Sequence, residues 1–277
     1  MRFFKQLYDF YLNASIHVAF AVYALTWITL KNFNIVYDES MLYFNFYATI
    51  TGYNFVKYFG IAKFHHRSLT TWLKVIQVFS FACFVLMCYY AWFLDKNTLI
   101  CIFVFGIITF LYAIPFLPKK MYLDNQQNLR DISGLKVYVV GLVWSGVTVF
   151  LPLINKGYVF DADVYITGFQ RFIFVIVLVL PFEIRDLQFD SLRLSTIPQK
   201  IGIKRTKIIG VLLLLVFFFL EYFKNELTSK NIIIHLFTFL ITALFLIFAN
   251  KKRNRSYSSF WVESIPIFIL VLIIMIS

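Results

Sequence analysis

Residues 181–202 read PFEIRDLQFDSLRLSTIPQKIG, and the rest of the chain is organised around this stretch. It follows an apolar run and carries Glu183, Asp186 and Asp190 within eight residues. If one helix continues through it, the two aspartates at positions i and i+4 share a face, and Glu183 joins them. Acidic residues are costly at the edge of a bilayer and usually have a function there. The spacing fits a site for a hard divalent cation that binds phosphate oxygens, or a charged helix end with Arg185 as counter-ion.

The composition of the chain is that of a polytopic membrane protein. Of its 277 residues, 61% are hydrophobic and only 14% are charged, and the mean hydropathy is +0.77. Water-soluble domains carry a much larger charged fraction. The net charge of +12 indicates basic loops that stay in the cytoplasm, and we expect no nucleic-acid partner. We therefore predict a single membrane domain over residues 1–277.

Nine apolar segments approach the length of about 20 residues that a transmembrane helix needs. The predicted spans are 13–31, 41–62, 72–94, 98–117, 135–155, 163–185, 206–224, 231–250 and 258–276. Because the connections are short, they predict an all-α integral membrane bundle of nine transmembrane helices. Loops on one side receive 20 Lys and Arg residues and loops on the other receive 5, which predicts a cytoplasmic N-terminus. We expect a multi-pass protein of the bacterial inner (cytoplasmic) membrane.

Charged residues inside the predicted spans mark candidate contacts. Asn54 and Lys57 lie one turn apart near the predicted cytoplasmic end of the second span, where Lys57 either belongs to a site or extends to the lipid headgroups. Glu263 lies about one turn inside the ninth span and either pairs with Lys57 or belongs to the site. Arg171 is predicted to extend outward from the sixth span towards the opposite membrane surface.

Small and polar residues in the first two spans predict helix contacts. Gly52 and Gly60 are expected to let a neighbouring helix approach closely. Asn13 and His17 are spaced i and i+4, and either line a cavity or hydrogen-bond to a neighbouring helix. We favour the hydrogen bonds.

Two stretches of the chain resemble the UbiA family of intramembrane aromatic prenyltransferases. One is the family's D-x-x-x-D motif, which is followed by a T-[LI]-P…G element. The matching residues here are Asp186, Asp190, Thr196, Ile197, Pro198 and Gly202. The other is the family's Y-x-x-P…K region, which LYAIPFLPKK (111–120) and ISGLK (132–136) resemble. The resemblance implies a UbiA-like bundle of nine helices with its active site at the cytoplasmic side.

The same resemblance implies an activity and a set of site residues. It implies a prenyltransferase that transfers a prenyl group from an isoprenoid diphosphate to a lipophilic or aromatic acceptor within the lipid bilayer, with Mg²⁺ as cofactor. Catalytic roles are implied for Asp186 and Asp190, and we add Lys57 as a catalytic candidate because of its charge and position. The implied metal ligands are Asp186, Asp190 and Glu183. The implied diphosphate-binding residues are Asn54, Lys57, Lys119, Arg130 and Lys136.

The first acidic motif of the family, N-D-x-x-D-x-x-x-D, has no counterpart in this chain. With its asparagine aligned on Asn54, the aspartate positions hold Phe55, Tyr58 and Ala62. One hypothesis is a divergent enzyme with one metal ion, in which Lys57 supplies the charge of the lost ion. A second is a catalytically inactive UbiA-like protein that binds an isoprenoid or lipid or acts as a scaffold, with Lys57 paired to the remaining aspartates. A third is a small transporter.

Overall fold

The computed structural model of the protein describes residues 2–64, 71–113, 134–188 and 196–276, and the regular elements in these ranges are helices. The helices are α1 (Arg2–Asn13), α2 (Ile16–Asn32), α3 (Glu39–Phe64), α4 (Thr71–Ala91), α5 (Lys96–Ala113), α6 (Leu135–Ser145), α7 (Leu151–Asn155), α8 (Ala162–Asp186), α9 (Ile197–Phe219), α10 (Ser229–Phe248) and α11 (Ile265–Ile276). A π-helical turn joins α6 to α7 at Gly146–Phe150, and another precedes α11 at Tyr257–Val262. A 3₁₀ turn, Leu220–Phe223, follows α9.

Six helical segments in the described ranges are long and apolar enough to cross a membrane. They are Trp72–Ala91, Leu135–Asn155, Ala162–Asp186, Ile197–Phe223, Ser229–Phe248 and Tyr257–Ile276. A seventh is obtained if α1 and α2, which are bent by 55° relative to each other, count as one span. The other two predicted spans fall on α3, which carries polar residues along its length, and on the shorter α5. The architecture is that of a multi-pass membrane protein, whereas nine spans and a cytoplasmic N-terminus stay predictions.

Loops and helix ends meet at two ends of the bundle. At one end, Arg185 donates a hydrogen bond to Ser258 Oγ and Arg255 donates one to Asn13 Oδ1. We call this the motif end, because residue 186 of the D-x-x-x-D motif lies there. At the opposite end, Asp38 contacts Lys156, with 3.1 Å between the carboxylate and the ammonium nitrogen.

Helix α8 forms the centre of the bundle. In its most apolar window 72% of the residues are buried, against 11% for Trp72–Ala91 in α4. Its residues Phe174, Val175 and Leu178 belong to the largest buried apolar cluster, together with side chains of α2 and α11. Pro181 lies inside α8 and has no N–H to donate to the preceding turn, which favours a bend just before Glu183.

Close helix contacts occur at glycines other than those predicted. A Cβ built on Gly52 meets no atom within 4 Å, so the prediction that this glycine permits close approach is wrong. By contrast, a Cβ on Gly210 of α9 would collide with Leu246 of α10 and lie 3.0 Å from Leu180 of α8. A glycine is therefore needed where α9 packs against α8 and α10. Gly146 and Gly168 are needed in the same way, because a Cβ there would collide with Phe105 and Phe150. The surroundings of Gly60 lie outside the described part, so the prediction for this glycine stays a prediction.

The first predicted span is broken. Ser15 has a left-handed backbone with φ +62°, which separates α1 from α2 and places Asn13 and His17 on different helices. Their predicted placement on one helix is thus wrong. The predicted hydrogen bonds to a neighbouring helix are confirmed, because His17 Nε2 lies 2.9 Å from the carbonyl oxygen of Phe260.

Candidate functional site

A chain of hydrogen bonds holds the ammonium group of Lys57 at the motif end. Lys57 Nζ donates to Ser15 Oγ at 2.7 Å, and Ser15 Oγ donates to Asn54 Oδ1 at 2.8 Å. The left-handed backbone at Ser15 turns the chain there, and a non-glycine residue adopts this conformation only when its surroundings hold it. The break between α1 and α2 therefore places the hydroxyl that orients Lys57.

Asn54 acts through Ser15 in this structure. Its Nδ2 donates to the carbonyl oxygen of Ala14 at 3.0 Å and to Ser80 Oγ at 2.7 Å, and its side chain is buried. These bonds and the one from Ser15 engage both ends of the amide. A direct contact between Asn54 and a diphosphate stays a prediction, and it would require one of these bonds to be exchanged.

Glu263 is surrounded by cations. Lys57, Arg185 and Arg255 all interact electrostatically with its carboxylate. The π-helical turn before α11 positions it, because Glu263 N donates to Ser258 O five residues earlier instead of four. Arg185 is also paired with Asp186. The two described carboxylates, Glu263 and Asp186, leave one of the three positive charges uncompensated, which favours the binding of an anion.

Arg185 pairs with the first aspartate of the D-x-x-x-D motif. Its Nε donates to Asp186 Oδ1 at 2.7 Å, and its Nη1 donates to Ser258 Oγ at 2.6 Å and to Ser259 Oγ at 3.2 Å. Lys57 instead donates to Ser15 and interacts with Glu263. The hypothesis of a catalytically inactive protein predicts that Lys57 pairs with Asp186, but in the structure Asp186 pairs with Arg185.

Glu183 faces a different cation from Asp186. Its Oε1 lies 3.8 Å from Nζ of Lys136, at the start of α6, and the Glu183 side chain is 2% exposed. The predicted diphosphate ligand Lys136 therefore lies next to a buried carboxylate. A role of Lys136 in binding diphosphate stays a prediction.

The described residues do not fit a magnesium ion. No group of three or more His, Cys, Asp or Glu side chains in the described ranges could hold a metal. Glu183 and Asp186 each lie next to a cationic side chain, which competes with a metal ion for the carboxylate. Helix α8 ends at Asp186, and Asp190 lies outside the described residues, so their predicted shared face and metal role stay predictions. Lys119 and Arg130 also lie outside the described residues.

The second half of the motif shapes the start of α9. Thr196 caps this helix, and its backbone N–H donates to Gln199 Oε1 at 2.9 Å in a capping box. Pro198 lies in the first turn, where its missing N–H is tolerated. Gly202 has φ +80°, a backbone conformation that favours glycine, and α9 is kinked at this residue. This half of the motif therefore sets the path of α9 as it enters the bundle.

Two aromatic side chains, Tyr53 and Trp144, lie between the charged residues of the motif end and the buried apolar cluster. Trp144 Nε1 donates to the hydroxyl of Tyr53 at 3.0 Å, and Tyr53 interacts electrostatically with Glu263. Trp144 belongs to the buried central cluster, with Tyr53 packed against it. Tyr53 and Trp144 therefore connect the charged residues of the motif end to the apolar centre of the bundle.

Sequence reasoning missed a second polar cluster, which lies at the opposite end of the bundle. It is centred on Glu221, whose carboxylate contacts Lys224, His235 and Gln170. The spacing of Glu221 and Lys224, i and i+3 at the end of an apolar run, was the available signal. Arg171 lies nearby and is 7% exposed; it donates to neighbouring helices, so the prediction that it extends outward to the membrane surface is wrong.

The fold is similar to that of a solved membrane synthase. A solved structure described as "Structural and mechanistic insights into the biosynthesis of Digeranylgeranylglyceryl phosphate synthase in membranes" superimposes with a TM-score of 0.57. The match covers 98% of this chain and 98% of that chain, at 16% sequence identity. No family model and no curated protein sequence matches the chain.

Proposed function

We propose that this protein binds an isoprenoid diphosphate at the motif end and transfers its prenyl group to a lipophilic acceptor in the bilayer. The observation that carries the proposal is the group of three cations, Lys57, Arg185 and Arg255, that act on Glu263. Together with Asp186, Glu263 leaves one of these charges uncompensated among the described residues, in a fold similar to that of a membrane synthase. A diphosphate carries several negative charges and accepts hydrogen bonds from ammonium and guanidinium groups. The motif end offers both kinds of donor.

In this proposal, cationic side chains bind the diphosphate. Lys57, pre-positioned by Ser15, and Arg185, positioned by Ser258, neutralise the leaving group. The carbon–oxygen bond of the allylic diphosphate breaks, and the electron pair leaves with the diphosphate. An acceptor nucleophile then bonds to the allylic carbon and releases a proton. In this proposal, the rings of Tyr53 and Trp144, which are joined by a hydrogen bond, stabilise the developing carbocation.

The alternative is a protein of the same fold that binds an isoprenoid diphosphate or related lipid without transferring the prenyl group. It is favoured by the first acidic motif, whose aspartate positions hold Phe55, Tyr58 and Ala62. It is also favoured by the pairing of Asp186 with Arg185, which leaves this carboxylate poorly suited to a metal ion. Both functions use the same cations at the motif end, Lys57, Arg185 and Arg255, and only the formation of a prenylated product distinguishes them.

The deciding experiment is a binding titration of the purified full-length protein with geranylgeranyl diphosphate, in Mg²⁺ and in EDTA. We expect binding that persists in EDTA and that weakens about tenfold or more in Lys57→Met, because a charge-assisted hydrogen bond to phosphate is lost. Lys74→Met, which removes an exposed lysine of α4, is the matched control and should bind like the wild type.

The outcomes separate the two functions. Release of inorganic diphosphate together with a prenylated lipid, in a membrane extract that supplies acceptors, supports transfer. Binding without release supports the alternative. Binding that requires Mg²⁺ returns the aspartates of the D-x-x-x-D motif to a metal role, and no binding in either condition overturns both functions.

A further inference from the structure

The polar cluster at the opposite end of the bundle is built around Glu221. Its Oε2 accepts hydrogen bonds from Lys224 Nζ at 2.7 Å and from Gln170 Nε2 at 3.1 Å, and lies 3.1 Å from His235 Nε2. Glu221 is 1% exposed and Gln170 2%. The side chains come from α8, α10 and the 3₁₀ turn after α9. The cluster is thus a buried site separate from the motif end.

The geometry around His235 requires a proton on the His235–Glu221 pair. His235 Nδ1 lies 2.8 Å from the carbonyl oxygen of Asn231, which can only accept, so Nδ1 carries a hydrogen. The other ring nitrogen faces Glu221 Oε2, and a proton must lie between two atoms that would otherwise both be acceptors. Histidine and carboxylate together are therefore neutral, and Glu221 has no net charge left for Lys224.

Arg171 adds a second positive charge, and no carboxylate pairs with it among the residues that the structure describes. Its Nη1 donates to the carbonyl oxygen of Leu25 at 3.0 Å and to Thr148 Oγ1 at 3.1 Å, and its Nη2 donates to Thr29 Oγ1 at 3.4 Å. These partners are neutral. A buried charge is stable only if an opposite charge compensates it.

Among the described residues, one carboxylate besides Glu221 acts on Lys224. Asp163 interacts electrostatically with Lys224. It also accepts hydrogen bonds from Asn225 N at 3.0 Å and Asn225 Nδ2 at 3.1 Å, near the helix ends. Asp163 therefore offsets part of the charge of Lys224 and does not neutralise Arg171 in the core.

A cavity lies between these two cations. Its volume is about 50 Å³, and its polar lining includes Arg171, Lys224, His235, Gln170 and Thr167. One water molecule needs roughly 10–15 Å³ on this measure, so the cavity has room for a small ion and a few waters. Gln170 Oε1 is buried and has no hydrogen-bond partner in the described part of the chain. It is an acceptor that a cavity water would satisfy.

We propose that this cavity binds a small monovalent anion, of the size of chloride or a short carboxylate, between Arg171 and Lys224. The anion compensates the charge that the described carboxylates leave over, and its hydration water donates to Gln170 Oε1. The cavity volume favours a small anion over a diphosphate or a whole phospholipid headgroup. The site is independent of the proposed prenyl transfer, so either proposal can fail without the other.

The test is thermal unfolding of the purified full-length protein at constant ionic strength, with sodium gluconate replaced stepwise by sodium chloride or by sodium acetate. Gluconate is too bulky for the cavity and serves as the reference anion. We expect a saturable rise of the unfolding midpoint, by roughly 5 °C at a hundredfold excess over Kd. A response to chloride alone identifies a halide site, and a response to acetate identifies a carboxylate site.

Two variants separate this site from general salt effects. Lys224→Gln should weaken the apparent affinity about tenfold or more, because it removes a charge-assisted contact to the anion. Lys156→Gln is the matched control: this lysine lies at the same end, next to Asp38, and is absent from the cavity lining, so its anion response should equal that of the wild type.

Equal midpoints in gluconate, acetate and chloride would overturn the proposal, as would an unchanged response in Lys224→Gln. If that variant does not fold, a crystal of the wild type grown in bromide decides. An anomalous peak beside Arg171 supports the site, and a map without one overturns it.

Discussion

Lys57 of α3 and Glu263 of the turn before α11 interact at the motif end, although they come from opposite parts of the sequence. The same ammonium group donates to Ser15 at the break between α1 and α2. Three segments that are distant in the chain therefore share one cation. A diphosphate that binds Lys57 would therefore lie next to both Ser15 and Glu263.

The interaction of Lys57 with Glu263 predicts energetic coupling between them. In a double-mutant cycle with Lys57→Met and Glu263→Gln, we expect a coupling energy of about 0.5–3 kcal/mol in the free energy of unfolding. The matched cycle of Lys57→Met with Asp186→Asn should give less than about 0.5 kcal/mol, because Asp186 pairs with Arg185. Denaturant or thermal unfolding in detergent measures both. Strong coupling to Asp186 and none to Glu263 would contradict the observed pairing.

The hydroxyl of Ser15 is predicted to matter for ligand binding as well as for stability. Ser15→Ala removes the acceptor of Lys57 Nζ and the donor to Asn54, so we expect a loss of about 1–3 kcal/mol in the free energy of unfolding. Binding of geranylgeranyl diphosphate should weaken as well, because Lys57 is no longer oriented. Isothermal titration calorimetry measures the binding.

Ser80→Ala is the control for this prediction. It removes one partner of Asn54 but leaves the bond from Lys57 to Ser15 intact. We therefore expect a loss of stability with unchanged diphosphate affinity. Equal losses of affinity in the two variants would mean that Ser15 acts only through packing of the bundle.

The sequence was sufficient to predict the apolar helices and the charged residues within them, because hydropathy and residue charge are local properties. Lys57 and Glu263 were both recognised as candidates on this basis. The break at Ser15 was not predicted, because a left-handed serine is stabilised by Asn54 and Lys57, which lie on another helix. Contacts between segments decide such local geometry.

The opposite-end cluster escaped sequence analysis for a related reason. Gln170, Glu221 and His235 form no motif, and only the packing of α8, α9 and α10 brings them together. Arg171 was expected to reach the membrane surface, as long cations often do. Instead, backbone and hydroxyl oxygens of α2 and the π-helical turn are available to accept its hydrogen bonds within the core.

Packing around Gly210 predicts a clear difference between two glycines inside helices. Gly210→Ala places a methyl group against Leu246 and Leu180, which are 0% and 1% exposed and cannot move aside. We expect a loss of about 1–3 kcal/mol in the free energy of unfolding. Gly106→Ala in α5 meets no atom within 4 Å and should stabilise the helix by up to about 1 kcal/mol. Thermal unfolding of both variants measures the difference, and equal midpoints would contradict the close contact at Gly210.

The inward hydrogen bonds of Arg171 predict that two buried threonines respond differently to the same substitution. Thr148 and Thr206 are both 0% exposed, and each donates its hydroxyl to the carbonyl four residues earlier, at 2.6 and 2.9 Å. Only Thr148 also accepts a hydrogen bond from Arg171. Thr148→Val should therefore cost about 1–3 kcal/mol in the free energy of unfolding, because a buried guanidinium loses an acceptor.

Thr206→Val should change the free energy of unfolding by less than about 1 kcal/mol, because it removes only the bond from the hydroxyl to the carbonyl oxygen of Gly202 and leaves no buried cation without an acceptor. Chemical denaturation of the two variants in the same detergent provides the comparison. If Arg171 extended to the membrane surface, the hydroxyl of Thr148 would have no guanidinium to bind, and the two substitutions would cost the same. A cost confined to Thr148 thus distinguishes a buried Arg171 from one at the surface.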